Sequence, residues 1–573
     1  MTRRDRGFIA VLLTVLIASS MVVLLPTDAG LPAASETPAP TTVGARPYRE
    51  GFVGQPTSVS PFGATTAADR ALVALTFSGL VRLGTDGDPV PDLAASWTID
   101  PAGRSYTFQL RPDATWQDGQ PVTAHDVEFT IGALKDPAYT GPGGASWRDV
   151  SVTVLGPRTV RLDLGDPIAG FLYAATQPIA PAHLLEGTPA ADLATDAFGQ
   201  APVGSGPYRL VSWNAGAASL ELASPRPAAE VSVPSPTPTV DSLATVVPSS
   251  GPSAPGLARI EFRFSEDPGV LATAYRAGEL DAVSGLPPQL EAQLGDEAGS
   301  QLLRYPRSTL TAVVFDLRPG NAAFRDARVR RGLLEAVDRD GIVAGPMAGL
   351  AVRADAPIPP SFAAYDQTVS RPVAQDRAGA AKDLAAGGWR HTAAGWIRPG
   401  QKTATPLRLL CPEAASTPVG CAVANAVAAD WRTVGLAVDV VPLPPSELVA
   451  KHLRTGDFDA AVLDIAIGLD PDLYPLLASS QTISGGSNVS GLQDPQLDQK
   501  LAAARRPASD AVRLAAWRDL QAYLATSTFM LPIAFRDEVV VARDTLSGPV
   551  VRPIGDGSDR FYDVLTWRLA DDR

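Results

Sequence analysis

Between residues 406 and 463 the hydrophobic pattern changes period four times, and no other stretch limits the fold as tightly. Residues 406–410 read as a strand. Val423, Val427, Trp431 and Val434 then fall on one face of a helix over 422–434, which Gly435 can end. Leu436, Val438 and Val440 resume a strand, and a helix over 447–454 and a strand over 457–463 complete a βαβαβ run. Alternation of this kind builds an open sheet, and ligands of such sheets gather beyond the carboxyl ends of strands. The stretch 464–472 follows the last strand and is therefore the expected pocket edge.

The earlier part of the chain has a different period. Tyr106, Phe108 and Leu110 alternate with polar residues, as do Val160, Leu162 and Leu164, which predicts half-buried strands in mixed sheets. A chain of 573 residues exceeds one core of ordinary size, and 45% hydrophobic residues can fill more than one. The formal net charge of -13 argues against nucleic-acid binding, which depends on Lys and Arg releasing counterions. An acidic surface mainly keeps a protein soluble.

Arg3, Arg4 and Arg6 precede an uncharged apolar run over 8–25, the polarity of an export signal. The run reads equally as a cleaved signal or as a membrane anchor with its basic end inside. No Cys follows it for lipid attachment. A Pro/Ala/Thr-rich tether comes next, to residue 47, and a second Pro-rich stretch, 224–255, interrupts strand-like runs at 219–222 and 259–264. That makes it an insert within one lobe, expected to lack regular order because each Pro removes a donor and restricts its neighbour. Cys411 and Cys421 suit a local disulfide in an exported chain, with two unpaired buried thiols as the alternative. Two sulfurs and four scattered histidines do not make a four-ligand metal site.

The block Ser105 to Ile131, SYTFQLRPDATWQDGQPVTAHDVEFTI, resembles a signature of the family 5 extracellular solute-binding proteins of peptide, nickel and oligopeptide ABC importers. Further blocks arrive in that family's order: VGSGPYRLVSW (203–213), FRDARVRRGLLEAVDRDGIV (324–343), AAKDLAAGGW (380–389), GDFDAAVLDIAIGLDPD (456–472) and SNVSGLQDPQLDQKL (487–501). The resemblance implies an α/β, periplasmic-binding-protein-like fold of type II, enlarged in the cluster C manner, with two hinged lobes and an extra subdomain. It implies a first lobe over 48–90 and 181–265, the subdomain over 91–180, a second lobe over 266–530 and a return segment over 531–573. It also implies an extracytoplasmic monomer that takes a peptide or similar organic solute to a membrane permease.

Candidate ligand-binding positions come from loops that match the family: Thr76, Phe77, Phe315, Asp316, Arg353, Asp464, Ile465, Gly468, Asp470, Ser487 and Asn488. Each has a plainer reading. Phe77 and Phe315 also suit core packing, Arg353 and Asp355 solvated charge, and Asp464 and Asp470 turns. In peptide-binding relatives the 464–472 loop carries a Trp and, three residues on, an Asp for the ligand's amino group. Ile465 and Gly468 stand there in this chain, which predicts a preference for uncharged or N-blocked ligands unless Asp464 or Asp470 substitutes. Catalysis lacks its parts: Gly204-Ser205-Gly206 is not a nucleophile elbow, and neither a phosphate loop nor an HExxH helix occurs. His125 reads as a helix-start residue and Asp118-Gly119 as a turn. No enzyme and no cofactor are expected; a tethered sensor that serves no importer and a hydrolase are the competing readings.

Overall fold

The computed structural model describes residues 46–223, 256–413, 419–482 and 486–570. The apolar run at 8–25, nearly all of the tether and the insert at 224–255 lie outside the described residues. Among those described, no helix is long and apolar enough to cross a membrane.

In chain order the elements that place the site are β1 (Tyr48–Val53), α1 (Ala67–Thr76), β2 (Ala94–Ile99), β3 (Ser105–Leu110), α2 (Ala124–Lys135), β4 (Val150–Gly156), β5 (Thr159–Leu164), β6 (Tyr208–Asn214), β7 (Ala217–Leu222), β8 (Arg259–Ser265) and β9 (Ala282–Ser284). They continue with α3 (Pro288–Gly295), β10 (Ser300–Phe315), β11 (Leu407–Pro412), α4 (Gly420–Thr433), β12 (Val438–Leu443), β13 (Ala460–Ala466), α5 (Pro495–Ala504), α6 (Asp510–Ser527) and β14 (Met530–Arg543). One large sheet runs β12-β11-β13-β10-β14-β9-β1-β8-β7-β6, and a separate antiparallel sheet runs β2-β3-β5-β4.

The signature block forms β3 and α2. Tyr106, Phe108 and Leu110 are buried as their alternation predicts. α2 begins at a capping box: Asp126 accepts from the Thr123 backbone N–H at 2.7 Å and from its hydroxyl at 3.0 Å. His125 sits in that first turn, exposed, between Glu128 and Glu186. α1 starts the same way, with Thr66 and Asp69 exchanging hydrogen bonds of 3.0 and 2.8 Å.

The expected βαβαβ run is present, with β11 parallel to both β12 and β13. Two details differ. The second helix is a single turn, Pro445–Glu447, followed by a π-helical segment, Leu448–Leu453. Leu448 and Leu453 are both buried, and a wider helix brings residues five apart to one side. The last strand begins at Ala460, three residues later than periodicity suggests, because Asp457 and Asp459 are held outside it by Arg408 and Arg398. β13 also ends later than expected, at Ala466, so Asp464 and Ile465 lie in it, opposite Thr311 and Leu310, and not in the loop.

Cys411 at the end of β11 and Cys421 in α4 form a disulfide, with Cα atoms 5.3 Å apart. Closing so short a loop stabilises by about 2–3 kcal/mol.

Hydrophobic side chains collect into two large cores. β10 gives Leu303 and Tyr305 to the first and Leu310 through Phe315 to the second; β14 gives Val540 and Ala542 to the first and Leu531 through Phe535 to the second. These two neighbours thus carry the chain across, and their register slips between Pro306 and Leu310. Pro306 has no N–H for the ladder, so an irregularity falls naturally there. Leu271, Tyr275, Leu286 and Leu294 form a smaller cluster with Val541 beside the crossing. β14 itself runs from the second core, at Leu531, to the first, at Val540 and Ala542.

Candidate functional site: the contact between two cores

The chain leaves β13 at its carboxyl end into residues 467–472, where the sheet geometry expects a ligand. Ile467 donates its N–H to the carbonyl of Ser308 at 3.0 Å, which pins this loop to the slipped part of β10. Ser308 in turn donates to the carbonyl of Ile554 at 3.0 Å, so the C-terminal segment of the first core joins the same spot. Gly468 has φ +78, a left-handed conformation that suits only glycine at low cost, and it turns the loop outward.

Beyond that turn the loop meets the first core. Leu469 approaches Gly555, where an added Cβ would lie 3.6 Å from its Cγ. Asp470 lies against Gly170 so closely that a Cβ there would be 2.6 Å from its Oδ2. The next N–H, that of Ala169, donates to the carbonyl of Arg505 at 3.0 Å, and Gly103 faces Pro507. Ile168, Phe171 and Leu172 belong to the first core, whereas Ile467, Leu473 and Leu501 belong to the second. The two bodies therefore touch at a second place, distant in the chain from their shared strands.

Charge at this contact is matched inside the second body. Asp470 pairs with Arg513 of α6 at 2.5 Å, and Asp472 with Arg505 at 3.0 Å. Burial pushes the Asp472 carboxyl above its ordinary pKa, and the Arg505 guanidinium works in the opposite direction. Arg505 also stacks over Tyr474, 4.4 Å from the ring centre. Neither carboxylate is left with a bare charge.

The remaining family-derived positions are spread over the fold. Asp464 is exposed on β13 and accepts from the Thr311 hydroxyl at 2.6 Å, while Ile465 is 9% exposed in the second core. Thr76 closes α1, fully buried; its carbonyl accepts from Gly206, and its hydroxyl has no partner among the described residues. Phe77 packs on Phe198 in the first core, and Phe315 stacks on Phe324 at 4.9 Å in the second. These two aromatics fill separate cores, and the structure does not bring them together. Asp316 is paired with Arg318, and Arg353 with Asp340 and Asp355. Ser487 is exposed. Asn488 is buried with its carboxamide fully used: it donates to the carbonyls of Leu477, Ala478 and Leu492 and accepts from Ser490.

The residues at this contact that sequence reasoning missed are Ala169, Gly170, Leu469, Arg505 and Arg513. Arg505 precedes Arg506-Pro507 just after α5, a visible helix stop. Nothing in the local sequence marks Gly170.

Two cores, two strands passing between them and a loop at a strand's carboxyl end facing the opposite core define a periplasmic-binding-protein-like fold of type II. Solved structures share it: NikZ from Campylobacter jejuni in complex with Ni(L-His), at TM-score 0.71 and 23% identity over 91% of this chain and 99% of that one. The oligopeptide-binding protein AppA from Bacillus subtilis, in complex with a nonapeptide, superposes with TM-score 0.71 and 20% identity over 92% and 100%. Protein XP55 of Streptomyces lividans is 29% identical over 483 residues, covering 82% of this chain and 81% of its own. Residues 88–486 match the model of the bacterial extracellular solute-binding proteins, family 5 (middle region), and the chain belongs to that family.

Proposed function

We propose that this protein captures a small organic solute, with peptide the leading class, in the gap between its two cores and delivers it to the membrane permease of an ABC importer. It works outside the cytoplasm, as a monomer, and without catalysis. The observation that carries this reading is the meeting of loop 467–472 with residues 168–170 and 555 from the opposite core. A guest enclosed there touches both bodies only when they approach, so closure is the state that gains its binding energy. Ile465, Gly468, Asp464 and Asp470 line or support the second-core side.

The preferred solute lacks a free amino group at this loop. Gly468 offers no side chain, Ile465 is committed to the core, Asp470 is already matched by Arg513, and Asp464, the remaining carboxylate that could substitute, already accepts from the Thr311 hydroxyl. An absent charge-assisted contact is worth about 1.5–3 kcal/mol, tenfold or more in affinity. Calorimetry with paired free and N-acetylated oligopeptides tests this: the acetylated member of each pair should bind at least as tightly. A strong preference for the free amine would reject the assignment.

A further inference from the structure

Resting on the two-body reading above, we infer that Gly170 and Ala169 on one side and Asp470 and Arg505 on the other form a latch that sets how often the gap is shut. The latch has a receiving surface and an inserting strand of backbone. The receiving surface is built within the second body. Arg513 holds the Asp470 carboxylate, and Arg505 holds Asp472, both in partly buried surroundings where such pairs keep their geometry. Fixing these side chains beforehand lowers the entropy lost when the first body arrives.

The inserting strand is the turn between β5 and Phe171. It presents one backbone N–H, that of Ala169, to the Arg505 carbonyl at 3.0 Å, and the bare Cα of Gly170 to Asp470. A Cβ at Gly170 would stand 2.6 Å from the Asp470 Oδ2 and 2.7 Å from its Cβ, far inside contact distance. Backbone conformation is not the reason for glycine here, since φ is -80. The three atoms nearest to such a Cβ all belong to Asp470, so the demand for glycine comes from the opposite body. Gly103 also approaches the second body, where an added Cβ would be 2.6 Å from the Pro507 ring, and there a left-handed φ of +66 favours glycine as well. The contact is small, so it biases an equilibrium between open and shut forms without welding it.

The experiment uses the full chain with spin labels at Val154→Cys and Val449→Cys, both exposed and on opposite bodies. The two native cysteines are joined, so labelling is specific. Double electron-electron resonance without added solute should give a short-distance population in the otherwise unmodified protein. Gly170→Val should reduce that population about tenfold, as forced overpacking implies. Asp470→Asn, which keeps the volume and weakens the Arg513 pairing, should reduce it less. Gly170→Ala serves as the milder steric variant if the valine disturbs folding, judged by near-ultraviolet circular dichroism. A folded Gly170 variant with an unchanged distance distribution, or no short distance in the parent protein, overturns the latch. Calorimetry on the parent protein separates the two ideas: peptide binding by the parent together with a folded Gly170 variant of unchanged distance distribution removes the latch alone, and a working latch with no organic solute bound removes the solute assignment alone.

Discussion

The two places where the bodies meet are built in opposite ways. At the crossing, β10 and β14 run for 16 and 14 residues, pair with each other and supply side chains to both cores. At the far contact, among the described residues, one hydrogen bond, two closely approached glycines and a leucine join the bodies, and the ion pairs of Asp470 and Asp472 stay within one of them. Continuous strands keep the bodies attached whatever their angle, whereas a thin contact can part and re-form. Stability is therefore expected at the crossing and its flanks, and the proposed closure acts at the far contact.

The largest expected effect is on the polar network beside the crossing. Glu50 of β1 is fully buried, accepts from Ser284 at 2.6 Å and Tyr48 at 2.8 Å, and pairs with buried Arg560 at 2.5 Å. Glu50→Ala leaves a guanidinium uncompensated, and urea unfolding should show a loss of about 3–5 kcal/mol. Leu531→Ala comes next, since Leu531 is fully buried on β14 opposite Val313; the expected loss is about 3 kcal/mol. A loss below about 1 kcal/mol for both would mean that the crossing is not where stability lies.

A pH-dependent effect of intermediate size comes from Glu291 in α3, packed on β14. Burial, with the nearby Glu538 charge, pushes its pKa up to about 8 from the ordinary 4.5. The folded form thus holds a proton that the unfolded chain has released. The associated stability is full below about pH 4.5 and is lost as pH rises through about 8. Glu291→Gln should be indistinguishable from the parent at pH 4 and more stable by roughly 2 kcal/mol at pH 9. Melting curves that stay parallel from pH 4 to 9 would contradict this. Smallest of all, Lys451→Ala removes an exposed pair with Glu447 and should move stability by less than about 0.5 kcal/mol, a baseline for the other variants.

Legibility followed how local the cause was. The β11-α4-β12-β13 run was readable because buried faces repeat at 3.6 or 2 residues whatever lies opposite. The start of β13 was misplaced because Asp457 and Asp459 are tied by arginines some 49 and 61 positions away. Asn488 looks like a pocket residue in its loop, yet its carboxamide is consumed by three carbonyls, a fact that only folding creates. Gly170 is the sharpest case, since its meaning comes from a carboxylate 300 residues later.

The amino-acid order alone settled the class of fold, through its alternating periods, and the family, through its motif blocks. Burial periodicity acts over a few residues, and the motif blocks are contiguous runs, so both can be read along the chain. Which carboxylates stay unmatched, which aromatics become core and which glycine sits beneath an opposing side chain were decided only when distant segments came together. Pairing and close approach are properties of distances between segments, and the linear order of residues does not contain them.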